Sequence, residues 1–381
     1  MIGAGQTPPV RSQTMSQPSP DLGQAQATPD LSVVIVSWNV RDLLRECLRS
    51  VLRSQESGVR NQESGIRSQE SGDRGQESGT LIPDPCPLTT EIIVVDNASA
   101  DGSAAMVAAE FPDVRLISSP INRGFTGGNN LGLAAARGRY VFFLNPDTVA
   151  SRDALVALVE TLETHADVGV VGPQLRYGDG RLQSSRRRFP TLLTALFEST
   201  PLEWHWPANR WARWYRMEDR PQTFEVSETS KVSTVEDVDW LVGAALMTRR
   251  AVLAQVGGFD EGYFMYSEEL DWCRRVKAAG WRVVYLPAAQ ITHYEGKSSE
   301  QMVATRHIRF QTSKIRYFRK FHGPRAAGFL QAFILGAFAV EWSLEAVKWL
   351  LGSNRALRRD RMAAYRQLLA TGLAERETGN Q

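Results

Sequence analysis

The sequence predicts an α/β fold with a doubly wound, mostly parallel sheet and a helical C-terminal extension. Three apolar segments support this prediction, because each ends in polar residues and is followed by a helical pattern. They comprise residues 31–36, residues 91–95 and the segment that ends at Asn145-Pro146-Asp147. Open α/β sheets bind ligands at the carboxyl ends of their strands. The residues that follow these strands are therefore candidates for a binding site.

Length and composition set the predicted domain boundaries. The chain has 381 residues, enough for one large domain with appendages. Residues 1–28 are rich in Gln, Ser, Pro and Gly and lack the apolar stretch of a signal peptide, so we expect a disordered tail and a cytoplasmic location. Residues 29–300 then form the main domain, and residues 301–375 form a basic, amphipathic helical region.

Charge and cysteine usage narrow the class of protein. The formal net charge of +2 gives no reason to expect a nucleic acid partner. Cys47, Cys86 and Cys273 show no spacing typical of metal ligands. We therefore expect buried thiols in a reducing compartment.

Four tandem heptapeptides occupy residues 53–80, between the first predicted helix and the second strand. Each repeat contains at most one apolar residue, so the seven-residue period does not provide a coiled-coil seam. We interpret the repeats as a flexible insert in a surface loop, where added length costs little closure entropy. A duplicated segment without function is the simplest explanation for them.

Two side chains at strand ends fit the recognition of a nucleotide. Trp38 offers a flat face to a nucleobase, and a half-buried packing role is its alternative. Asp96 can accept a hydrogen bond from the imide N–H of uracil or thymine, or it can serve a helix N-cap or an Asx turn. The neighbouring Asn39 and Asn97 belong to the same predicted nucleotide site.

A glycine-rich turn precedes the third apolar segment. Arg123 is placed in this turn to meet a phosphate or a base. Gly127 and Gly128 would let backbone N–H groups approach a phosphate at the start of the next helix. A tight turn without a ligand is the alternative role of these glycines.

Six motifs in order resemble family 2 of the inverting glycosyltransferases, in particular its rhamnosyltransferase-like branch. They are VVIVSWN, VVDNASADGS, NRGFTGGNNLG, FLNPDT, FMYSEELDWCRR and HYEGKSS. The resemblance extends from Leu31 to Gly323, interrupted by the repeat insert. It implies an A-type, nucleotide-binding sheet and makes residues 29–300 the predicted catalytic domain.

The resemblance also implies roles for individual residues. Val36 joins Trp38 and Asp96 as a residue that holds the nucleoside. Asp147 matches the metal-binding position of the family, with Asn145 in place of the first acid and next to the nucleotide. His293 resembles a late histidine that adds a metal contact, although a structural role is its alternative. One carboxylate suffices for Mg²⁺ or Mn²⁺ when diphosphate oxygens and water complete the octahedron.

The general base is predicted in the acidic stretch that contains Glu268, Glu269 and Asp271. At the start of a helix, Glu268 and Asp271 share a face and Glu269 points elsewhere, so the three acids do not act as one unit. The resemblance implies that Glu269 is the base, where the family usually has Asp; the extra methylene alters its reach. The alternative is that these acids only favour the positive end of the helix dipole.

Together, these expectations describe metal-dependent, inverting sugar transfer from a nucleotide-diphosphate donor, such as dTDP-rhamnose or a UDP-sugar. The expected acceptor is a cell-surface polysaccharide or a lipid-linked glycan. A catalytically silent sugar-nucleotide-binding subunit is one alternative. A sugar-phosphate nucleotidyltransferase is disfavoured, because Ser37-Trp38-Asn39-Val40 replaces the expected loop rich in glycine and arginine.

The C-terminal region suggests a membrane surface as a partner. Residues 306–325 are basic and aromatic, and an apolar run, broken by Glu341, Glu345 and Lys348, follows them. This pattern favours binding to an anionic membrane surface, here the inner face of the plasma membrane. A spanning helix, packing on the catalytic domain and a homodimer interface are the alternatives.

Two further segments remain open to interpretation. Arg186, Arg187 and Arg188 could hold the donor diphosphate or an anionic acceptor, or form a solvated charge run. The tryptophan-rich stretch between Trp204 and Trp214 could line an acceptor cleft or pack under the basic helices.

Overall fold

The computed structural model describes residues 28–53, 88–207, 209–220, 235–294 and 303–374. Its strands are β1 Leu31–Ser37, β2 Thr90–Asn97, β3 Arg115–Ser119, β4 Tyr140–Leu144, β5 Thr148–Ala150, β6 Val168–Arg176, β7 Leu182–Gln183, β8 Arg186–Arg187, β9 Glu236–Asp237, β10 Trp240–Leu241, β11 Ala245–Arg249 and β12 Arg282–His293. Its helices are α1 over residues 41–53, α2 Ser103–Glu110, α3 Gly124–Ala135, α4 Arg152–Thr164, α5 Leu192–Phe197, α6 Pro201–His205, α7 Arg210–Tyr215, α8 Arg250–Val256, α9 Glu268–Ala278, α10 Val303–Leu350 and α11 Arg355–Thr371.

The main sheet has the strand order β3-β2-β1-β4-β11-β6-β12-β5. Strands β3, β2, β1 and β4 run parallel, and β6 runs parallel to β12. Strand β11 is antiparallel to both β4 and β6 and so joins the two parallel parts. The predicted mostly parallel α/β sheet with a helical C-terminal extension is confirmed.

Each face of the sheet is covered by helices because successive strand residues point to opposite faces. Val33 and Ile35 of β1 pack with Leu44 of α1 and Leu158 of α4 in one buried cluster. Val34, between them in sequence, belongs to the opposite cluster, which includes side chains of α8, α9 and α10. Burial on both faces explains why the strands read as continuous apolar runs.

Helix α10 has two parts, separated where Gly323 adopts φ 86° and ψ 166° before Pro324. In the first part, Tyr317 and Phe318 are buried. Lys320 Nζ lies 2.7 Å from Asp260 and 2.6 Å from Asp271, and Arg316 lies 3.5 Å from Asp260. This basic segment therefore packs on the catalytic domain. That finding corrects the predicted membrane-facing role for Arg316 and Lys320, because both side chains bind domain carboxylates.

Several predicted features lie outside the described residues. They are the tail through residue 27, the heptapeptides beyond Arg53, Cys86, and the part of the HYEGKSS motif after Tyr294. Cys47 and Cys273 are buried free thiols. Burial raises the pKa of each to about 12, so both remain protonated at neutral pH.

Candidate active site

Buried oxygen atoms without hydrogen-bond partners gather at the carboxyl ends of the central strands. Among the described residues, these atoms include Ser37 Oγ after β1, Asp96 Oδ1 in β2, Thr126 Oγ1 in α3 and Asn145 Oδ1 after β4. Ser37 and Asp96 stand side by side in the β1–β2 register. Leaving a buried polar atom unpaired costs about 1–3 kcal/mol. A polar ligand in this crevice would supply the missing partners.

The two carboxylate oxygens of Asp96 have different surroundings. Oδ2 accepts a hydrogen bond from Ser99 N at 3.3 Å. This contact closes a turn, as in the alternative role predicted for Asp96. Oδ1 is buried and has no hydrogen-bond partner in the described chain. Because the turn uses only one oxygen, the other can accept a hydrogen bond from a nucleobase. The half-buried Trp38 follows the neighbouring strand.

Asn39 and Asn97 build the rim of this crevice. Asn39 adopts φ 54°, and its Oδ1 accepts a hydrogen bond from Ala100 N at 2.7 Å. Asn97 Oδ1 accepts from Arg123 N at 2.8 Å, while its Nδ2 donates to Gly124 O at 2.9 Å. The side-chain amides of Asn39 and Asn97 therefore both bind backbone atoms of the surrounding loops. The Arg123 side chain is exposed, and its Nε donates to Ser119 Oγ at 3.3 Å.

The glycines of α3 lie elsewhere than the sequence predicted. Helix α3 begins at Gly124, so Gly127 and Gly128 are inside it. An added Cβ on Gly128 would lie 2.6 Å from a methyl carbon of Val36, and one on Gly127 would lie 2.8 Å from Arg123 Cβ. This correction has a packing reason: Gly128 allows α3 to approach β1 closely, and Gly127 leaves room for the side chain of Arg123 at the start of the same helix. The helix start is instead closed by Phe264, whose carbonyl accepts from Phe125 N at 2.9 Å.

Asp147 and His293 meet because β5 pairs with β12. The antiparallel register places His293 opposite Thr148, the residue after Asp147. His293 Nε2 lies 3.4 Å from Asp147 Oδ1, and both side chains are 6% exposed. His293 Nδ1 lies 3.0 Å from Gln183 Oε1, which can accept a hydrogen bond from Nδ1–H. In that tautomer of the neutral imidazole, the lone pair is on Nε2.

This pair fits a divalent cation. A carboxylate oxygen and an imidazole nitrogen with a free lone pair are both metal ligands, and Gln183 orients the imidazole as outer partners do in metal sites. Nearby, Asn145 Oδ1 lacks a hydrogen-bond partner among the described residues. The described chain contains no group of three His, Cys, Asp or Glu suited to a metal. Ligands from a bound diphosphate and water would therefore have to complete the octahedron.

Helix α9 brings Glu268 and Glu269 to the same crevice. The Gly243 backbone lies against the Glu269 carboxylate, since an added Cβ on Gly243 would be 3.5 Å from Glu269 Oε1. The next residue, Ala244, accepts a hydrogen bond from Asn145 N at 2.9 Å. One segment between β10 and β11 therefore connects the acidic helix start to the end of β4. Tyr266 and Ser267, just before α9, adopt φ 71° and 65°, a strained backbone of the kind found at functional sites.

The electrostatics of Glu269 suit a general base. Burial raises its pKa to about 7, because the charged form is poorly solvated there. Burial raises the pKa of Glu268 well above its usual value, and the nearby charge of Glu269 raises it further. Both Oε2 atoms are buried without hydrogen-bond partners in the described chain. The two carboxyl groups are thus electrostatically coupled, which the prediction that they point apart did not anticipate.

Asp271 lies in a different environment from the two glutamates. Its side chain is fully buried and makes contacts of 2.7 Å with Arg275 and 2.6 Å with Lys320. Tyr263 OH also donates a hydrogen bond to it at 3.2 Å. The observed contacts favour a structural role over the predicted catalytic one, because two cations neutralise this carboxylate and tie α9 to α10.

The three consecutive arginines predicted to meet an anion instead bind the protein. Arg186 pairs with Glu236, and Arg188 lies 2.7 Å from Asp219. Arg187 donates a hydrogen bond to Ser184 Oγ at 2.8 Å. Each guanidinium therefore has partners within its own domain.

The tryptophans of the stretch from Trp204 to Trp214 lie in two different environments. Trp204 packs against Phe338 of α10, with ring centroids 5.8 Å apart. Trp211 and Trp214 line a cleft of about 580 Å³ together with Arg210 and Arg213. This cleft offers aromatic faces and cations to an acceptor.

Sequence reasoning missed three contributors to the site: Gln183, Gly243 and Phe264. Gln183 orients His293 from 110 residues away, and no local pattern marks such a contact. Gly243 lies against the Glu269 carboxyl, where an added Cβ would be 3.5 Å from the carboxyl carbon. The sequence around Gly127-Gly128 and Glu268-Glu269 does not indicate these partners.

Comparison with known proteins identifies the family of this chain. The sequence model of glycosyl transferase family 2 matches residues 32–227, which is more than half of the chain. The chain belongs to glycosyl transferase family 2. It is therefore a glycosyltransferase with the α/β sheet described above.

Two relatives are rhamnosyltransferases. The N-acetylglucosaminyl-diphospho-decaprenol L-rhamnosyltransferase of Mycobacterium tuberculosis is 33% identical over 219 residues, which cover 55% of this chain and 67% of the relative. Rhamnosyltransferase WbbL of Escherichia coli is 29% identical over 184 residues, or 45% of this chain and 61% of the relative. Among solved structures, the mannosyltransferase PcManGT from Pyrobaculum calidifontis, in complex with GDP-Man and Mn²⁺, aligns with a TM-score of 0.48 and 17% identity over 91% of this chain and 87% of the other.

Proposed function

We propose that this protein transfers a sugar, with inversion, from a nucleotide-diphosphate donor to a hydroxyl group of a lipid-linked glycan. A dTDP- or UDP-linked sugar is the proposed donor, and dTDP-rhamnose is the first candidate because two relatives are rhamnosyltransferases. The proposed acceptor class follows the Mycobacterium tuberculosis relative, which is named for a diphospho-decaprenol substrate. Products of such transfer would enter cell-envelope polysaccharide.

One observation carries the proposal: unpaired oxygens of Asp96 and Asn145 lie at the ends of β2 and β4, the two strands that flank β1. Asn145 N in turn donates to Ala244 O, in the segment that lies against Glu269. Asp96 Oδ1 is available to accept the imide N–H of uracil or thymine. Trp38 would cover the base with its ring, while Val36 contributes the wall under the nucleoside. This arrangement separates nucleoside recognition from the acidic helix start on the acceptor side.

Glu269 would accept the proton of the acceptor hydroxyl as that oxygen attacks the anomeric carbon. A pKa of about 7 suits this role, because general bases work best when their pKa is near the operating pH. Glu268, the more deeply buried group, would stay protonated and so spare Glu269 a neighbouring charge. Displacement in one step inverts the anomeric configuration and releases the nucleoside diphosphate.

Asp147 and His293 would hold Mg²⁺ or Mn²⁺ beside the donor diphosphate. When bound there, the cation would offset negative charge on the leaving group. Asp147 Oδ1 and His293 Nε2 face each other, and Gln183 fixes the tautomer of the imidazole. The cleft with Trp211, Trp214, Arg210 and Arg213 is the proposed acceptor side, where cations meet phosphate and aromatic rings meet the sugar.

A comparison of UDP with CDP tests nucleoside recognition sharply. The two nucleotides match in size and charge, but cytosine has a lone pair where uracil has the imide N–H. Thermal shift with Mn²⁺ should show stabilisation by UDP and dTDP and much less by CDP, because ligand stabilisation follows affinity. In Asp96→Asn, the advantage of UDP should shrink. Equal stabilisation by UDP and CDP would remove Asp96 from base recognition.

Transfer itself is tested with dTDP-rhamnose, UDP-N-acetylglucosamine and a short-chain N-acetylglucosaminyl-diphospho-lipid. We expect a new glycosidic bond with inverted anomeric configuration by NMR. Donor binding without transfer or donor hydrolysis in any pair would favour a sugar-nucleotide-binding subunit instead.

A further inference from the structure

The second part of α10 presents an apolar face outside the catalytic domain. Between residues 326 and 347, its charged side chains are Glu341 and Glu345, and both are buried. The exposed side is uncharged over about 33 Å of helix, at 1.5 Å per residue. Its larger side chains are Phe329 at 54% exposure, Val340 at 59%, Leu344 at 44% and Val347 at 53%.

The buried acids explain why this face points outward. Glu345 accepts hydrogen bonds from Arg358 at 2.7 and 3.0 Å and lies 3.1 Å from Lys348. Glu341 lies 2.9 Å from His205 Nε2 of α6. The polar stripe of α10 is therefore satisfied by α11 and α6, so the apolar side has no protein cover among the described residues. An amphipathic helix in water has the opposite orientation.

Helices α10 and α11 form a regular antiparallel hairpin. Glu345 pairs with Arg358, Phe338 packs on Tyr365 at 5.6 Å, and Gln331 donates a hydrogen bond to Gly372 O at 2.7 Å. These contacts recur every seven residues along both helices. Helix α11 therefore accompanies α10 over most of the length of the apolar face.

This register distinguishes a helix on a membrane from one that crosses it. The segment Thr305–Leu350 is long and apolar enough to span. A spanning α10 would carry α11 into the hydrocarbon, including the exposed side chains of Arg359, Arg361 and Arg366. Charged side chains are strongly disfavoured there. A helix that lies flat needs only its outer face in lipid, and α11 then stays on the aqueous side.

Charge and aromatic residues around the apolar face fit a lipid surface. Exposed Arg325 precedes the face, and exposed Lys348 and Arg355 follow it, where they can meet anionic headgroups. Trp204 of the adjoining α6 is 49% exposed, and Trp206, the residue after this helix, is 63% exposed. Tryptophan at the border of an apolar surface is typical of the membrane interface. A second protein copy would not need this cationic border.

We infer that the outer face of α10 from residue 326 to residue 347 is a monotopic docking surface for an anionic lipid bilayer. This inference rests on the proposed lipid-linked acceptor for its purpose, but its geometry is independent of the chemistry. The first part of α10 supports the loop before the two glutamates: Ser313 Oγ donates to Met265 O at 2.8 Å, and Phe310 packs on Tyr266 at 5.7 Å. The docked helix would thus hold the active site at a fixed height above the lipid.

The test compares two triple variants with the same spacing and the same charge change. Val340→Glu, Leu344→Glu and Val347→Glu place three acids on the proposed lipid face. Ala363→Glu, Gln367→Glu and Ala370→Glu place three acids on exposed positions of α11. Flotation with phosphatidylcholine–phosphatidylglycerol vesicles should show binding of the native protein, and the α10 variant should lose about 100-fold or more in partitioning. The α11 variant should lose far less.

Several outcomes would overturn the inference. These are native protein that does not bind vesicles, equal loss in the two variants, extraction that requires detergent, or a native dimer that the α10 variant converts to a monomer. The last two would indicate a spanning helix and a second copy, respectively. Thermal melting and UDP-induced stabilisation should be unchanged in both variants, so a failure of docking is distinguishable from a failure of the proposed nucleotide site.

A label provides a second readout that does not depend on added charge. In a chain that carries Cys86→Ser, Ser343→Cys lies on the outer face of α10 and Ala363→Cys lies on α11, while the native Cys47 and Cys273 are buried. An environment-sensitive fluorophore at position 343 should shift to shorter wavelength on vesicles, while one at position 363 should not. An unshifted label at position 343 would contradict docking through this face.

Discussion

His293 Nε2 faces Asp147 Oδ1 at 3.4 Å, while its other ring nitrogen is held by Gln183 at 3.0 Å. The contact arises from the pairing of β5 with β12, which joins two motifs separated by more than a hundred residues. Both side chains are nearly buried, so neither can turn away to solvent. This preformed pair is the strongest structural support for a cation site.

Loss of the Asp147 carboxylate should abolish metal-dependent donor binding. In Asp147→Asn, we expect the additional stabilisation of the UDP complex by Mn²⁺ to disappear in thermal shift and transfer to fall below detection. The fold should persist because the amide keeps the shape of the side chain. Asp153→Asn, an exposed change in the first turn of α4, is the matched control and should behave as the native protein. An Asp147 variant that retains Mn²⁺-dependent binding would contradict the proposed ligand.

Replacement of Glu269 should remove proton transfer without removing the donor. We expect Glu269→Gln to lower kcat by about 100-fold or more, the range for a lost general base. UDP affinity should stay nearly constant. Glu268→Gln should cost much less, because Glu268 is proposed to be protonated in the native enzyme. Greater sensitivity at Glu268 than at Glu269 in steady-state kinetics would reverse the assignment.

The raised pKa of Glu269 predicts opposite effects of pH on activity and stability. Activity should rise as pH increases through about 7, where the carboxyl group loses its proton. The folded state holds this proton more tightly than the unfolded chain does. The protonated Glu269 therefore stabilises the fold at low pH, and this contribution to the free energy of unfolding is lost as pH rises from about 5 to about 8. Denaturation curves should show that Glu269→Gln loses less unfolding free energy than the native protein over that pH window. Identical pH slopes in the two proteins would argue against a buried, titrating Glu269.

Close packing of α3 on β1 makes Gly128 sensitive to a single added methyl group. Gly128→Ala should destabilise the protein by about 1–3 kcal/mol, because the new Cβ meets a methyl carbon of Val36 at 2.6 Å in a packed interior. Val36→Ala in the same chain should restore part of this loss. Gly336→Ala, a helical glycine with no atom within 4 Å of the added Cβ, should instead stabilise by about 0.5–1 kcal/mol. Chemical denaturation measures all three, and an additive double variant would show that the clash lies elsewhere.

The mostly parallel sheet and the strand ends that bear polar residues could be predicted, because both follow from local sequence patterns. The order of the strands could not. Continuous apolar runs indicated strands buried on both faces, and the residues after them had to lie at one edge of the sheet. The family motifs then assigned expected roles to Asp96, Asp147, Glu269 and His293. Of these residues, Asp147 and His293 are in contact, and the roles of all four stay predictions.

Local sequence does not determine which partners a side chain meets across the fold. Gly127 and Gly128 looked like a phosphate-binding turn, but helix α3 starts at Gly124 and uses them for packing. In the sequence, Asp271 is one of three nearby acids, but in the structure Arg275 and Lys320 neutralise its charge. Helical spacing showed that Glu341 and Glu345 share a face, without showing that this face points inward. The charge of each group is local, but its burial and its counter-charges depend on elements far away in the chain, so the tertiary structure decided which charges are neutralised and which face of α10 is left bare.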